Sequence, residues 1–437
     1  MKTNFHITFK GGFLYKRAQR FLFLTAVLIS ALPSLNAQDF SYGFGLYKGR
    51  DFFGLRDAIP NIKYSSGWQK EYLESLSRNA FCDFKGSNTL LGKLLKDNPE
   101  GLDDSLKAEL YKAKSNNHVN LFEYKDALEC DLLVSKSYSA FLDEEEKDDL
   151  TDDINLWTAV IDAKPQTMSR SGEVTIQMER DIANLWNIPV SINEMEFNFI
   201  FDTGANFSVI VESVAKKLGL KLIDTKLKVG TITGKKVDSK VAVCPVLKTG
   251  GVTVNNVVFL VLPDEALSFG FYKIYGIIGN PIIRGFGEIT VNKDNLLTIP
   301  ALPSKGLVQN LAFHGFTPVI QAFRGADTLR FTFDSGAMST ILYRPYFEKY
   351  RNEIEGKLEQ VDINLGGAGG IETVKGYYIP EIVLGVNGKN GTIKKVSLLS
   401  ELSKNKDKYF HGNLGQDYFK NYESMTFNFI DMFVLFK

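Results

Sequence analysis

Cysteine and histidine are scarce in this 437-residue chain: Cys82, Cys130 and Cys244 are its only cysteines, and His6, His118, His314 and His411 its only histidines. Three cysteines cannot build a disulfide scaffold. Cys82 and Cys130 could pair in an oxidising compartment, or all three could act as small buried hydrophobes. The histidines lack His-Glu-x-x-His or any comparable ligand spacing, so neither a metal nor an organic cofactor is expected. Charge of one sign is also lacking, since Lys+Arg and Asp+Glu each total 51. That balance offers no field for nucleic acid or an anionic membrane surface. Gly-x-Ser-x-Gly and Gly-x-x-x-x-Gly-Lys-Ser/Thr are both missing, which removes the nucleophile elbow and the phosphate cradle. The longest apolar run near the N-terminus, from Phe21 to Leu32, falls short of the roughly 20 residues that span a bilayer.

What surrounds that run has the three parts of a secretory signal. Lys10, Lys16, Arg17 and Arg20 precede it, and Pro33-Ser34-Leu35-Asn36-Ala37 follows, with cleavage expected after Ala37. Residues 1–37 are therefore read as a signal peptide, and the protein as exported to the periplasm or medium with no stable membrane span afterwards. No cysteine follows the run, so lipid modification is not expected. The chain is 44% hydrophobic and 23% charged, an ordinary globular composition too long for one core.

Residues 38–165 are expected to form a helical domain of stacked hairpins. Leu90, Leu91, Leu94 and Leu95 mark one helix face, with Ser87 as N-cap and Pro99 as a stop; Phe122, Leu128, Leu132 and Leu133 are expected inward positions of another. The arrangement loosely resembles a tetratricopeptide-type array, without a clean 34-residue period. The acidic run from Asp143 to Asp153 reads as a solvated helix start or as a site for a basic partner. Beyond Pro165 the pattern alternates with period two. Phe197, Phe199 and Phe201 form one such strand and Leu329, Phe331 and Phe333 another, each ending at an Asp.

Those two strands begin an internal duplication. Phe199-Ile200-Phe201-Asp202-Thr203-Gly204-Ala205 is answered by Phe331-Thr332-Phe333-Asp334-Ser335-Gly336-Ala337, and Ile277-Ile278-Gly279-Asn280 by Asn413-Leu414-Gly415-Gln416. Asp202 precedes Gly279 by 77 residues and Asp334 precedes Gly415 by 81. Each copy also continues into a helical segment and closes with a strand pair. Residues 170–303 and 304–437 are thus expected to be two β lobes of one design.

Two carboxylates held about 3 Å apart cannot both ionise, so one keeps a proton while the other acts as base. Such a pair can activate water and protonate a carbonyl without metal or covalent nucleophile. The flanking residue types suit that task. Thr203 and Ser335 supply hydroxyls to lock the loops, Gly204 and Gly336 permit close approach and give an N–H to each carboxylate, and Ala205 and Ala337 follow. Ile278-Gly279 and Leu414-Gly415 can pack beneath the loops to hold them rigid.

With these motifs the segment 170–437 resembles the retropepsin-like aspartic proteases, in particular the bacterial exported branch with two fused lobes behind a helical N-terminus. The resemblance implies a mainly-β bilobal acid-protease (pepsin/retropepsin-like) fold joined to the α-helical domain. It implies Asp202 and Asp334 as the catalytic dyad of an aspartic-type endopeptidase, with a reciprocal Thr203–Ser335 hydroxyl contact beneath them. Ala after each Gly is the retroviral-type choice and implies activity at mildly acidic pH. Glycine-tipped hairpins would cover the cleft, with candidates at Gly230-Thr231-Ile232 and Gly367-Ala368-Gly369, though each could be a plain turn. Neither tip carries the tyrosine of pepsin-like enzymes. A peptide or protein substrate is implied, and because one chain supplies both loops a monomer suffices. The alternative is a weak or inactive protease-fold module that binds peptides, with the helical domain as recognition arm.

Overall fold

The computed structural model describes residues 39–437 apart from 231–235, 307, 368–369 and 402–407; the expected signal segment lies outside the described residues. From Phe40 to Ala159 the chain is helical: α1 (Phe40–Lys48), α2 (Phe52–Ala58), α3 (Gly67–Ala80), α4 (Phe84–Asp97), α5 (Asp104–Asn120), α6 (Tyr124–Leu133) and α7 (Glu144–Ala159). Aspartates start most of them. Asp39, Asp51, Asp83, Asp103 and Asp143 each accept a hydrogen bond from the backbone N–H three residues on, which satisfies an otherwise orphaned donor. Ser87 is therefore not an N-cap. Asp83 takes that role, and Ser87 is buried one turn into α4, donating to the Ser75 carbonyl at 2.8 Å. Leu132 is not inward either. It is 49% exposed, because α6 buries Tyr124, Ala127, Leu128 and Asp131 instead.

Two helical hairpins, α3/α4 and α5/α6, share one turn. Cys82 and Phe122 both have positive φ (62° and 61°), and the next N–H, of Asp83 or Glu123, returns to the carbonyl of Arg78 or His118 to close the helix end. All three cysteines are free thiols, so the Cys82–Cys130 pairing is not formed. Among the described residues no helix is long and apolar enough to cross a membrane.

The β region contains two closed rings of six strands. In the first lobe the ring runs Met195–Phe201, Gly276–Ile278, Ser208–Val211, Val252–Leu262, Lys240–Thr249 and Trp186–Ile192, returning to Met195–Phe201. In the second it runs Asp327–Phe333, Gly412–Leu414, Ile341–Leu342, Lys389–Leu399, Gly370–Val386 and Thr317–Arg324 in the same order. Strands that precede each Asp are buried at their ends because a parallel neighbour covers them: Ile278 pairs with Phe201, and Leu414 with Phe333. Closure leaves no free edge in the ring to bind a foreign strand.

A third sheet of five strands belongs to both lobes, in the order Val174–Gln177, Leu296–Ile299, Glu288–Asn292, Ser424–Asn428, Phe433–Phe436. Its central pair is antiparallel with Thr290 opposite Thr426, their hydroxyls 2.8 Å apart. The pseudo-twofold relation between the lobes passes close to that pair. The helical domain packs on both lobes: Trp157 meets Phe207 with ring centroids 5.9 Å apart, while Ala312, Val319 and Phe410 join the core of α1–α5. Of the acidic run, Asp152 is not simply solvated. Its carboxylate accepts the Lys228 N–H at 3.1 Å and pairs with Lys236 Nζ at 3.0 Å.

Candidate active site

Each Asp loop begins where a strand ends. The Asp202 N–H donates to the Ile278 carbonyl and the Asp334 N–H to the Leu414 carbonyl, both at 3.0 Å, so each Asp leaves its strand in a position fixed by the parallel neighbour. Inside each loop the carboxylate is held by the N–H of the glycine two residues on: Gly204 to Asp202 Oδ1 at 2.7 Å, Gly336 to Asp334 Oδ1 at 2.8 Å.

The two loops meet through their hydroxyls. Thr203 N–H donates to Ser335 Oγ at 2.9 Å and Ser335 N–H to Thr203 Oγ1 at 3.0 Å. Each hydroxyl then donates across the lobe boundary, Thr203 to the Phe333 carbonyl at 3.2 Å and Ser335 to the Phe201 carbonyl at 2.7 Å. Both side chains are buried, so these four bonds satisfy groups that would otherwise be costly to leave dry. The expected reciprocal contact is thus present as geometry.

This lattice sets the two carboxyls against each other, each facing the glycine of the opposite loop. Burial, then the charge of Asp334, pushes the Asp202 carboxyl well above the usual carboxylate range, while the Gly204 and Ala205 N–H groups pull it back. The glycines face the opposite carboxyl. A methyl on Gly204 would lie 2.6 Å from Asp334 Cγ, and one on Gly336 2.5 Å from Asp202 Cγ. Only glycine lets the carboxyls approach.

The Ile278 and Leu414 carbonyls accept the Asp202 and Asp334 N–H groups, and Gly279 and Gly415 lie against the backbone of Ala205 and Phe207 and of Ala337 and Ser339. The residues after them had no expected role. Asn280 N–H donates to the Ala205 carbonyl at 2.9 Å and Gln416 N–H to the Ala337 carbonyl at 2.8 Å. Their side-chain amides reach the Thr203 and Ser335 carbonyls. A carboxamide at the same place in both copies was the signal for this. Arg180, also unexpected, stacks on Trp186 and donates to Gln416 Oε1, joining the lobes.

The hairpin strands around the candidate flaps are present. Lys228–Gly230 pairs with Lys236–Asp238, and Val361–Gly367 with Gly370–Val386. Gly230 and Gly367 end their strands, whereas Thr231, Ile232, Ala368 and Gly369 lie outside the described residues. For a cation, the described residues offer one close group, His118, Glu123 and Asp126 in the helical domain, with ligand atoms within 4.8 Å of one another. Its His118 Nδ1 is already 2.7 Å from Glu123 Oε2.

A family model described as aspartyl protease matches residues 188–282, from the strand that pairs with the Asp202 strand to just past Asn280. The chain carries an aspartic protease-type domain. The match points to hydrolysis of peptides as the chemistry of this fold. No curated protein matches the chain.

Proposed function

We propose that this chain is an exported, single-chain aspartic endopeptidase in which Asp202 and Asp334 activate the attacking water. One observation carries the proposal: two copies of one loop, one in each lobe, set their carboxyls facing each other across the Thr203–Ser335 hydroxyl lattice. A lone Asp loop could be a capped turn. Two crossed at a buried lattice form the constellation that general acid–base hydrolysis needs. The basic and apolar pattern of residues 10–37 supports export.

In the reaction the pair holds one proton. The ionised carboxylate takes a proton from water, whose oxygen adds to the scissile carbonyl carbon. The protonated carboxyl gives its proton to the carbonyl oxygen, leaving a gem-diol. One diol hydroxyl then returns a proton to that residue, the other carboxyl protonates the amide nitrogen, and the C–N bond breaks. The dyad ends as it began. Substrate would lie extended between the lobes as an added strand under the hairpins, outside the closed rings.

The test is cleavage of denatured protein between pH 3 and pH 8 by the chain starting at Gln38, beside Asp202→Asn. Cleavage by wild type alone, blocked by a statine-type inhibitor, supports the proposal. Peptide binding by both proteins without cleavage would instead make the fold a binding module.

A further inference from the structure

The two lobes are not equivalent at the dyad. In the first lobe the residue two before Gly279 is Ile277, paired with Ile200; in the second, the corresponding residue is Asn413, paired with Thr332. Thr332 Oγ1 donates to Asn413 Oδ1 at 2.7 Å. With its oxygen so engaged, the amide must present its NH2 the other way, and Nδ2 lies 3.4 Å from Asp334 Oδ2. Thr332 and Asn413 are both buried. Asp202 has no counterpart to this donor, because its lobe offers Ile277 there.

Resting on the endopeptidase reading above, we propose that Asn413, oriented by Thr332, is a positioning residue that polarises the dyad. Asp334 carries the negative charge and is the base toward water, while Asp202 keeps the shared proton and is the acid toward the carbonyl. A hydrogen-bond donor favours the ionised form of the carboxylate it touches, and among the described residues the side-chain amide donor falls on Asp334 and not on Asp202.

Two ionisable groups on or beside the strands of Asn413 and Thr332 already have partners. His411, two residues before Asn413, accepts the Arg330 N–H on Nδ1 at 3.0 Å. Burial and then Arg330 push its pKa down to about 4. The Arg330 guanidinium is paired with Asp51 at 2.7 Å. The Gly204, Ala205 and Gly336 N–H groups also donate to the two carboxyls.

The experiment is the pH profile of kcat/KM for wild type, Asn413→Ile and Thr332→Val. Ile277 fills the equivalent place in the first lobe, so isoleucine is the mirror substitution; Thr332→Val is isosteric and serves should Asn413→Ile fold poorly. Loss of the donor destabilises the carboxylate, so the acid limb should move to higher pH, by about half a unit or more for Asn413→Ile, with Thr332→Val moving the same way. In parallel, carboxyl-13C aspartate NMR, assigned with Asp202→Asn and Asp334→Asn, should show Asp334 ionising first in wild type. If wild type cleaves but neither variant moves the acid limb, the polarising role is wrong while the endopeptidase stands. Should wild type not cleave, the endopeptidase reading falls, and the NMR titration alone then decides: Asp202 ionising first, or no shift in Asn413→Ile, overturns the polarisation.

Discussion

Gly204→Ala gives a clean steric test of the dyad. Gly204 is not among the positive-φ glycines, so alanine strains no backbone and the added methyl is the whole perturbation. That methyl would lie 2.6–2.8 Å from Cγ and both oxygens of Asp334. It falls about 0.6–0.8 Å inside ordinary contact at 3.4 Å. Asp334 cannot swing aside freely, because Oδ1 is tied to the Gly336 N–H at 2.8 Å. A displacement of this size separates the carboxyls by enough to cost roughly 10- to 100-fold in kcat. Overpacking should cost only about 1–3 kcal/mol of stability, leaving the protein folded. The assay is kcat and KM on an unfolded protein substrate, with a denaturation curve for each protein. Gly92→Ala is the control, since nothing lies within 4 Å of its new methyl. If Gly204→Ala keeps kcat within threefold of wild type, the carboxyl contact is not what drives turnover and the reasoning is refuted.

Two further outcomes follow from buried polar groups. Ser335→Ala should cost about 2–4 kcal/mol in chemical denaturation, because it strands the Thr203 N–H and the Phe201 carbonyl. Thr203→Val should add little on that background, and strictly additive losses would mean the hydroxyl lattice is not one unit. Asp131 is buried, accepts Trp157 Nε1 at 2.9 Å, and burial pushes its carboxyl from 3.8 up to about 6. The folded state therefore holds a proton that the unfolded state has released across this window, so stability falls as pH rises from about 4 to 6. Asp131→Asn should stabilise the protein by about 1–3 kcal/mol at pH 7 and leave it unchanged below pH 4; an equal gain at both pH values would exclude the carboxyl as cause.

The Asp loops were legible because duplication repeats both residue types and spacing, and because strands ending at an Asp leave a period-two trace. The helical boundaries were less so. Ser87 looks like a cap by residue type, yet Asp83 reaches the first turn sooner, and nothing local distinguishes the two. Leu132 reads as core on hydrophobicity, but the face of α6 is set by Trp157, which requires Asp131 to point inward. Ring closure depends on pairings such as Lys248 with Ser191, between strands distant in sequence. Asn280 and Gln416 could have been found, since both copies place a carboxamide after the same glycine; Asn413 could not, because its significance is the partner Thr332 supplies across a ladder.

The sheet shared by the lobes bears on how such a chain can come apart. A first lobe severed near residue 303 would lose Ser424–Asn428 and present Glu288–Asn292 as an open edge, with the ladder groups that face Ser424–Asn428 unmet. The same edge of another copy could satisfy it, with Thr290 meeting Thr290 as it meets Thr426 here. Fusion thus fixes inside one polypeptide a union that separate halves would have to make by collision. Its strength does not depend on concentration, and the two sides of the cleft are free to differ, as Ile277 and Asn413 do.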